Sequence, residues 1–508
     1  MKKRVTAALL RMILPFLCIT LHANAQQWVS LNSNGKLQYD TTSRGDRIMD
    51  FSYAGYKGGG VAIPDVPVRM FVRPGNANDA AAIQSAIDAV SRLPLVNGFR
   101  GAVLLAPGDY YCDQTILLHS SGVVLKGSGS SKQGTRLQLT GQPHVAVALR
   151  GKPVYTKTSV AVKVTMAYVP AGTNLITVDQ PAIFNQGDTV RITKPVTPEW
   201  VQFMGMHDLV RDGKQQTWIN GELTLDRIIT AITGNTLFLD VPLTDSYDAQ
   251  YGATVVERIS TSGEIVNCGI SGFRIISPTQ TGTINDRHHQ AFHISGITDA
   301  WARDIQAYNT INSISVTGRR VTLDRISIMH DTVTTGAAKP ADINASGPQL
   351  LVQRCYIKGS NVFYIATGAK ATGPIVILDC TFEGGGWIQP HQRWATGMLV
   401  DNCSVPGGGI EYMNRGSMGS GHGWSIGWSV VWNSTAKSFL NQQPPGSMNW
   451  MIGCIGEQRQ EARPFGKFPM LPSGIIVSQG KRVWPESLYR AQLQERNTTQ
   501  KKQRHKAL

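Results

Sequence analysis

Two stretches in the last third of the chain carry side chains suited to acid–base chemistry on a charged substrate. One is Pro390-His391-Gln392-Arg393-Trp394; the other runs from Tyr412 through Asn414 and Arg415 to Gly421-His422-Gly423-Trp424. Imidazole has the unperturbed pKa closest to neutrality, so His422 or His391 can take a proton near pH 7. Guanidinium geometry matches a carboxylate, so Arg393 and Arg415, with Asn414, can hold one. That set suits β-elimination beside a uronate: a neutralised carboxylate acidifies the α-proton, a base removes it, and an acid, here Tyr412, protonates the departing oxygen. Trp394 and Trp424 are expected to stack on sugar faces, with Gln392 beside them. His330 and Asp331, adjacent at the end of another strand, form a second polar pair expected to touch substrate. A wide glycine-rich corner with no chemistry accounts for the same residues less fully.

Other readings of these residues stay open. An inverting glycosidase needs two carboxyl groups ~6.5–9.5 Å apart, and Glu383, Asp401 and Glu411 are the candidates. Asp379, Glu383 and Asp401 could instead hold calcium, although Asp379 and Asp401 recur at similar repeat positions, which also suits corners. A sugar-binding or adhesin protein without catalysis would need only the aromatic rings.

These loops need a frame, and the cysteines indicate which. Cys355, Cys380 and Cys403 are 25 and 23 residues apart, each in a similar short strand: Leu351-Val-Gln-Arg-Cys355, Ile377-Leu-Asp-Cys380 and Leu399-Val-Asp-Asn-Cys403. A period in the twenties with one apolar strand per repeat predicts stacked β-coils, with equivalent side chains in interior ladders. The segments Ile265–Ile275, Phe292–Gly296, Ala302–Asn309 and Val321–Ile328 alternate apolar and polar in the same way. A helix is predicted only over 78–93, where Ala82, Ile83, Ala86, Ile87 and Val90 fall at helical spacing behind an Asn-Asp cap. Six of the 11 tryptophans lie between Trp387 and Trp450, more than a narrow coil interior can take.

The run Asn78-Asp79-Ala-Ala-Ala-Ile83-Gln-Ser-Ala-Ile87-Asp88, followed by Gly101-Ala-Val-Leu-Leu-Ala-Pro107-Gly108-Asp-Tyr110 and Gly122-Val-Val-Leu-Lys-Gly127-Ser-Gly129, resembles the opening of the pectate-lyase superfamily. The resemblance implies an all-β, right-handed parallel β-helix capped by the helix. It does not fix the reaction, because lyases, glycosidases, epimerases and phage tailspikes share the scaffold. The superfamily's calcium-dependent lyases use acidic clusters, and some use Lys or Arg as base, so a histidine base departs from that pattern.

The 508 residues carry a formal net charge of +15. Lys2, Lys3 and Arg4 precede an apolar run and Ala23-Asn24-Ala25, so residues 1–25 read as a signal peptide and the protein is expected to be periplasmic or secreted. Four basic residues of that leader, and eight basic against two acidic in 481–508, account for +10 of the charge. The tail is expected to be disordered. The remaining body is modestly basic, which favours an acidic polysaccharide partner and gives little ground for nucleic acid. No membrane insertion is expected, and the protein is read as a monomer. The expected organisation is an N-terminal extension over 26–74, cap and first coils over 75–151, a small inserted β-domain over 152–259, and the main solenoid with groove loops over 260–480. Trp200, Trp218 and His207 lie on the inserted segment's longest connection.

Overall fold

A computed structural model describes residues 28–75, 77–333 and 335–507; the expected signal peptide, 1–25, lies outside the described residues. Twenty-seven strands join into one parallel system, wound as a β-helix with three sheets per coil. Sheet A carries Gly101–Leu105, Val123–Lys126, Leu350–Gln353, Thr372–Leu378, Ala395–Asp401, Ser429–Trp432 and Asn449–Ile452. Sheet B includes Tyr356–Lys358 and Thr381–Glu383. Sheet C carries Gln290–Ser295, Ala341–Ala345, Phe363–Ala366, Trp387–Ile388 and the end of Ser404–Tyr412.

The corner from A to B is a single left-handed residue, at Asp304, Arg325, Arg354, Asp379, Asn402 and Asn433 on successive coils, with φ from 47° to 54°. Asn and Asp tolerate that conformation better than most residues. The next position points inward and gives the ladder Ile305, Ile326, Cys355, Cys380, Cys403, Ser434 and Cys454. All six cysteines among the described residues are free and buried, and the Cys355 amide donates to Cys380 Sγ at 3.4 Å. Helix α1, Asp79–Ser91, has Asn78 as its N-cap and buries Ile83, Ala86, Ile87 and Val90 on the first coils. That is the face its sequence spacing predicts except at Ala82, which is exposed while Ala80 is buried.

A separate seven-stranded antiparallel sheet, from Val154–Lys157 to Val255–Ser262, forms a lobe with its own core of Val190, Ile192, Leu225, Ile229 and Val256. Its helix α2, Pro198–Phe203, capped by Thr197, carries Trp200. A second apolar cluster lies outside sheet A. There Trp28, Ile48 and Phe51 of the N-terminal extension and Trp200, Trp218 and Met206 of the lobe pack against Leu351, Val376, Leu399, Trp432 and Trp450.

The basic tail departs from expectation. Helix α3, Leu488–Ala507, docks Leu488 and Tyr489 into that second cluster. Two burying side chains and a cap outweigh the charge repulsion that predicted disorder: Ser487 Oγ accepts from the Arg490 amide, and Gln492 both accepts from Phe51 N–H and donates to the Met49 carbonyl. Among the described residues, no helix is long and apolar enough to cross a membrane.

Candidate functional site

The loops that join sheet C to sheet A stack along one corner. Lys370 N–H donates to the Arg393 carbonyl at 2.8 Å, and Arg393 N–H to the His422 carbonyl at 3.1 Å, so three successive coils align there. Asn414 and Trp424 bridge antiparallel at the neck of a hairpin loop, closed by Arg415 N–H to the Gly423 carbonyl at 2.7 Å. Within it Gly419 has φ +58°, and a Cβ there would lie 2.2 Å from His422 Nε2. Glycine is therefore what lets the loop fold over the imidazole. Gly423 plays the same part for the lobe, since its Cβ would meet Trp218 Cδ1 at 2.2 Å.

The predicted His and Arg residues meet. The rings of His391 and His422 have centroids 4.7 Å apart, and His391 packs edge-on to Phe363 at 5.1 Å. Arg415 lies over the other part of the same site, its Cζ 5.4 Å from the Phe363 ring centroid. Arg393 reaches across the coil step to Ser420, donating to its carbonyl at 2.9 Å and its Oγ at 2.6 Å. Burial, reinforced by Arg415, lowers His391 to about 3 and His422 to about 4, so both imidazoles are neutral at pH 7. Burial lowers Arg415 to about 10. His391 Nδ1, His422 Nδ1, Arg393 Nε and Arg415 Nε are buried without a hydrogen-bond partner. Neither Arg393 nor Arg415 is in an ion pair among the described residues. Arg393 and Trp394 are also consecutive left-handed residues, at φ 56° and 63°, an expensive conformation for large side chains. Gln392 is half-buried between them and His391.

Other expected contacts fall elsewhere. Tyr412 is fully buried in the coil interior, where its hydroxyl donates to the Val430 carbonyl at 3.1 Å; burial pushes it well above its ordinary pKa, and it cannot serve as the acid. Asn414 is 1% exposed, accepts from Gly416 N–H at 2.8 Å and holds the hairpin neck. Trp394 and Trp424 are 3% and 2% exposed, so neither ring is open to a sugar. Trp394 Nε1 and Trp428 Nε1 both donate to Asp245 of the lobe, at 2.9 and 3.0 Å, while Trp424 Nε1 donates to the Met204 carbonyl. Trp394, Trp424 and Trp428 do lie outside the coil, but they fasten the lobe to sheet A. Among the six, only Trp387 escapes full burial, with Lys339 Nζ 5.1 Å above its ring.

His330 pairs with Asp342, not Asp331. Its Nε2 is 2.8 Å from Asp342 Oδ1, and although burial alone would lower His330, Asp342 raises it. Asp331 instead bonds Asn309. This pair sits at the corner from B to C, away from His391.

The acidic candidates do not assemble either. Asp379 pairs with Arg490 and accepts from Asn402, Glu383 accepts from the Tyr356 hydroxyl at 2.8 Å, and Asp401 accepts from Ser487 Oγ and Tyr489 N–H at the start of α3. Asp379 and Asp401 are neighbours at the A-to-B corner, but Glu383 lies on sheet B and all three are already engaged, which does not fit calcium. The glycosidase trio fails on the same ground, because Glu411 is on sheet C. Glu411 is nonetheless near the His–Arg site: it is 4% exposed, accepts from Gln389 and pairs with Arg459 at 3.2 Å. Burial raises its pKa, and Arg459 and Gln389 oppose the shift. Phe363, Gln389, Arg459 and Ser420 were not foreseen; of these Gln389 had a signal, two residues before His391 on the same loop.

Comparison with protein-family models and with curated proteins returns no match. Among solved structures, the chain is similar to a tailspike of E. coli bacteriophage HK620 in complex with pentasaccharide, at 12% identity and a TM-score of 0.41, covering 88% of this chain and 69% of that one. It is also similar to the Pseudomonas phage phi297 tailspike gp61, at 11% identity and 0.37, covering 79% and 73%. A third similar structure is PfbA, a surface adhesin of Streptococcus pneumoniae, at 11% identity and 0.35, covering 77% and 80%.

Proposed function

We propose that the protein is an exported polysaccharide-degrading enzyme, a lyase that cleaves uronic-acid-containing chains by β-elimination at the corner formed by His391, Arg393, Arg415 and His422. The observation that carries this reading is two neutral imidazoles in ring contact, flanked by two guanidiniums that are in no ion pair among the described residues, with the buried Glu411 offsetting part of the charge of Arg415. Such a site gains by taking an anion. The uronate carboxylate would accept from Arg393 and Arg415, which stabilises negative charge as it spreads from the α-carbon into the carboxylate. One imidazole then takes the α-proton, the double bond forms, the bond to the glycosidic oxygen breaks, and the same imidazolium returns the proton to that oxygen. No separate acid is required, which answers the loss of Tyr412. Binding the anion also raises the imidazole's affinity for a proton at the step where it must accept one. Kinship with the pectate-lyase superfamily belongs to this reading and rests on the opening motif.

Acidic and neutral glycans should be assayed in parallel for ultraviolet absorbance of an unsaturated product and for new reducing ends. Absorbance growing in step with chain cleavage on a uronate polymer is expected. His422→Ala and Arg393→Ala should each lower turnover by ~10²-fold or more while thermal unfolding stays nearly unchanged. New reducing ends without absorbance would make the enzyme a hydrolase, and binding without cleavage would make it a sugar-binding protein.

A further inference from the structure

The corner that carries Arg393 continues upstream into an open groove between the lobe and the β-helix. This groove has a volume of about 530 Å³ and is walled by Tyr155, Asp226 and Arg227 from the lobe side and by Glu264, Arg319 and Lys370 from the coil side. Its floor is built from the same C-to-A corners as the His–Arg site: Gly296, Thr317, Pro348 and Lys370 line it, and the Lys370 amide bonds the next corner at Arg393. Stepping from Gly296 to Arg393 crosses four coils, on the order of 20 Å at the inter-strand spacing. That length exceeds what a single sugar ring would need.

Its lining carries three cations, Arg227, Arg319 and Lys370, against two carboxylates, Asp226 and Glu264. Asp226 is held by Arg191 through two bonds at 2.8 and 2.9 Å, and Glu264 accepts from the Thr298 hydroxyl at 2.7 Å. Arg319 bonds only a neutral partner, Thr298 Oγ1 at 3.3 Å, and Lys370 Nζ bonds only the carbonyls of Asn220 and Glu222. Neither cation is in an ion pair among the described residues. The buried Arg227 likewise spends its donors on carbonyls, at Val241 and Pro242. Tyr155, 52% exposed, offers an aromatic face on the lobe wall, backed by Arg191 at 4.8 Å. Flat ring, hydroxyls and an excess of cations side by side make a surface for an anionic sugar chain rather than for an apolar ligand.

We infer that this groove is a remote binding cleft for an acidic oligosaccharide, in which Lys370 holds the carboxylate of a sugar unit about one coil step from His391 and His422 and Arg319 that of a unit about three coils away. The inference rests on the acidic-polymer reading above and extends it. The chain lies along the corner, so the lobe closes one wall of an extended cleft, and affinity grows with the number of units that reach Lys370 and Arg319.

The test is calorimetric titration of the whole protein with polygalacturonate, alginate and hyaluronate and with size-fractionated fragments of each. At least one polymer should bind, and its long fragments should bind more tightly than its disaccharide. Arg319→Gln and Tyr155→Ala should each weaken long-fragment binding about tenfold, as expected for losing one charged or stacked contact, and leave the disaccharide unaffected. Lys132→Gln, which removes an equal charge outside the groove, should change nothing. Equal long-fragment affinity in Arg319→Gln, Tyr155→Ala and the unaltered protein overturns the cleft, as does failure of all three polymers to bind. If binding depends on the groove but no unsaturated product forms, the cleft stands and the elimination chemistry falls. If product forms at unchanged KM in both groove variants, the chemistry stands and the cleft falls.

Discussion

His391 and His422 illustrate how burial sets what a side chain can do. An exposed imidazole titrates near 6.5; these two, screened from water and beside Arg415, titrate at about 3 and about 4. Between those values and 6.5 the unfolded chain binds protons that the native chain refuses, so stability rises with pH across that window and is lost as pH falls through it. Each pKa unit is worth about 1.4 kcal/mol. Urea unfolding at a series of pH values should therefore show an acid limb that flattens in His422→Ala, with little difference between the two proteins above pH 7. Tyr412 gives the converse case. Ile410 and Tyr412 share parity on one strand, so the alternation itself placed Tyr412 inside, and the chemical attraction of a phenol beside Asn414 and Arg415 obscured it. Tyr412→Phe loses the bond to Val430 and should cost about 1 kcal/mol of stability while leaving turnover unchanged; a loss of activity beyond what unfolding explains would return the phenol to the site.

Helix α3 shows what the charge count of a segment omits. Its basic residues dominate 481–508, yet Leu488, Tyr489, Gln492 and Leu493 recur at helical spacing behind Ser487, a pattern legible in the sequence and outranked there by net charge. The helix start rests on Asp401, whose Oδ2 accepts from Ser487 Oγ at 2.7 Å and Tyr489 N–H at 2.9 Å, while Oδ1 is buried without a partner. Burial raises Asp401 to about 7 despite those two bonds. An acid whose native pKa lies above its unfolded value of about 3.9 contributes stability that is complete below that value and lost as pH rises through about 7. Docking of α3 should weaken from pH 5 to pH 8, seen as faster amide exchange in 488–493. Asp401→Asn keeps an acceptor and removes the charge, so its exchange rates should show no such slope beyond the intrinsic one.

At the scale of the molecule, coils were legible and their covering was not. Strand alternation and the Cys355–Cys380–Cys403 spacing reveal which side chains face the coil interior, because that packing is between neighbours a repeat apart. Nothing periodic marks what lies on the outside of sheet A, since the covering residues come from 28–54, 200–219 and 488–493, far apart in the chain. Trp394 and Trp424 therefore read as exposed rings, although their partners Asp245 and Met204 bury them. The His–Arg corner was legible because both loops belong to adjacent coils. This layered build has a mechanical consequence. α3 clamps the N-terminal extension onto sheet A: the Tyr489 hydroxyl donates to the Ala54 carbonyl at 2.9 Å, Gln492 bonds Met49 and Phe51, and Arg496 bonds Gly58. Ending the chain after Gly480 removes the buried Leu488 and Tyr489, on the order of 5 kcal/mol by comparison with large-to-small core substitutions, and it exposes Leu351, Val376 and Leu378. The truncated protein should unfold at lower urea, and limited proteolysis should cut first within 28–60 while the coils beyond Gly101 stay protected, because their own ladders do not depend on α3. Cleavage spread evenly over the coils would instead mean that the outer layer and the β-helix fold as one inseparable unit.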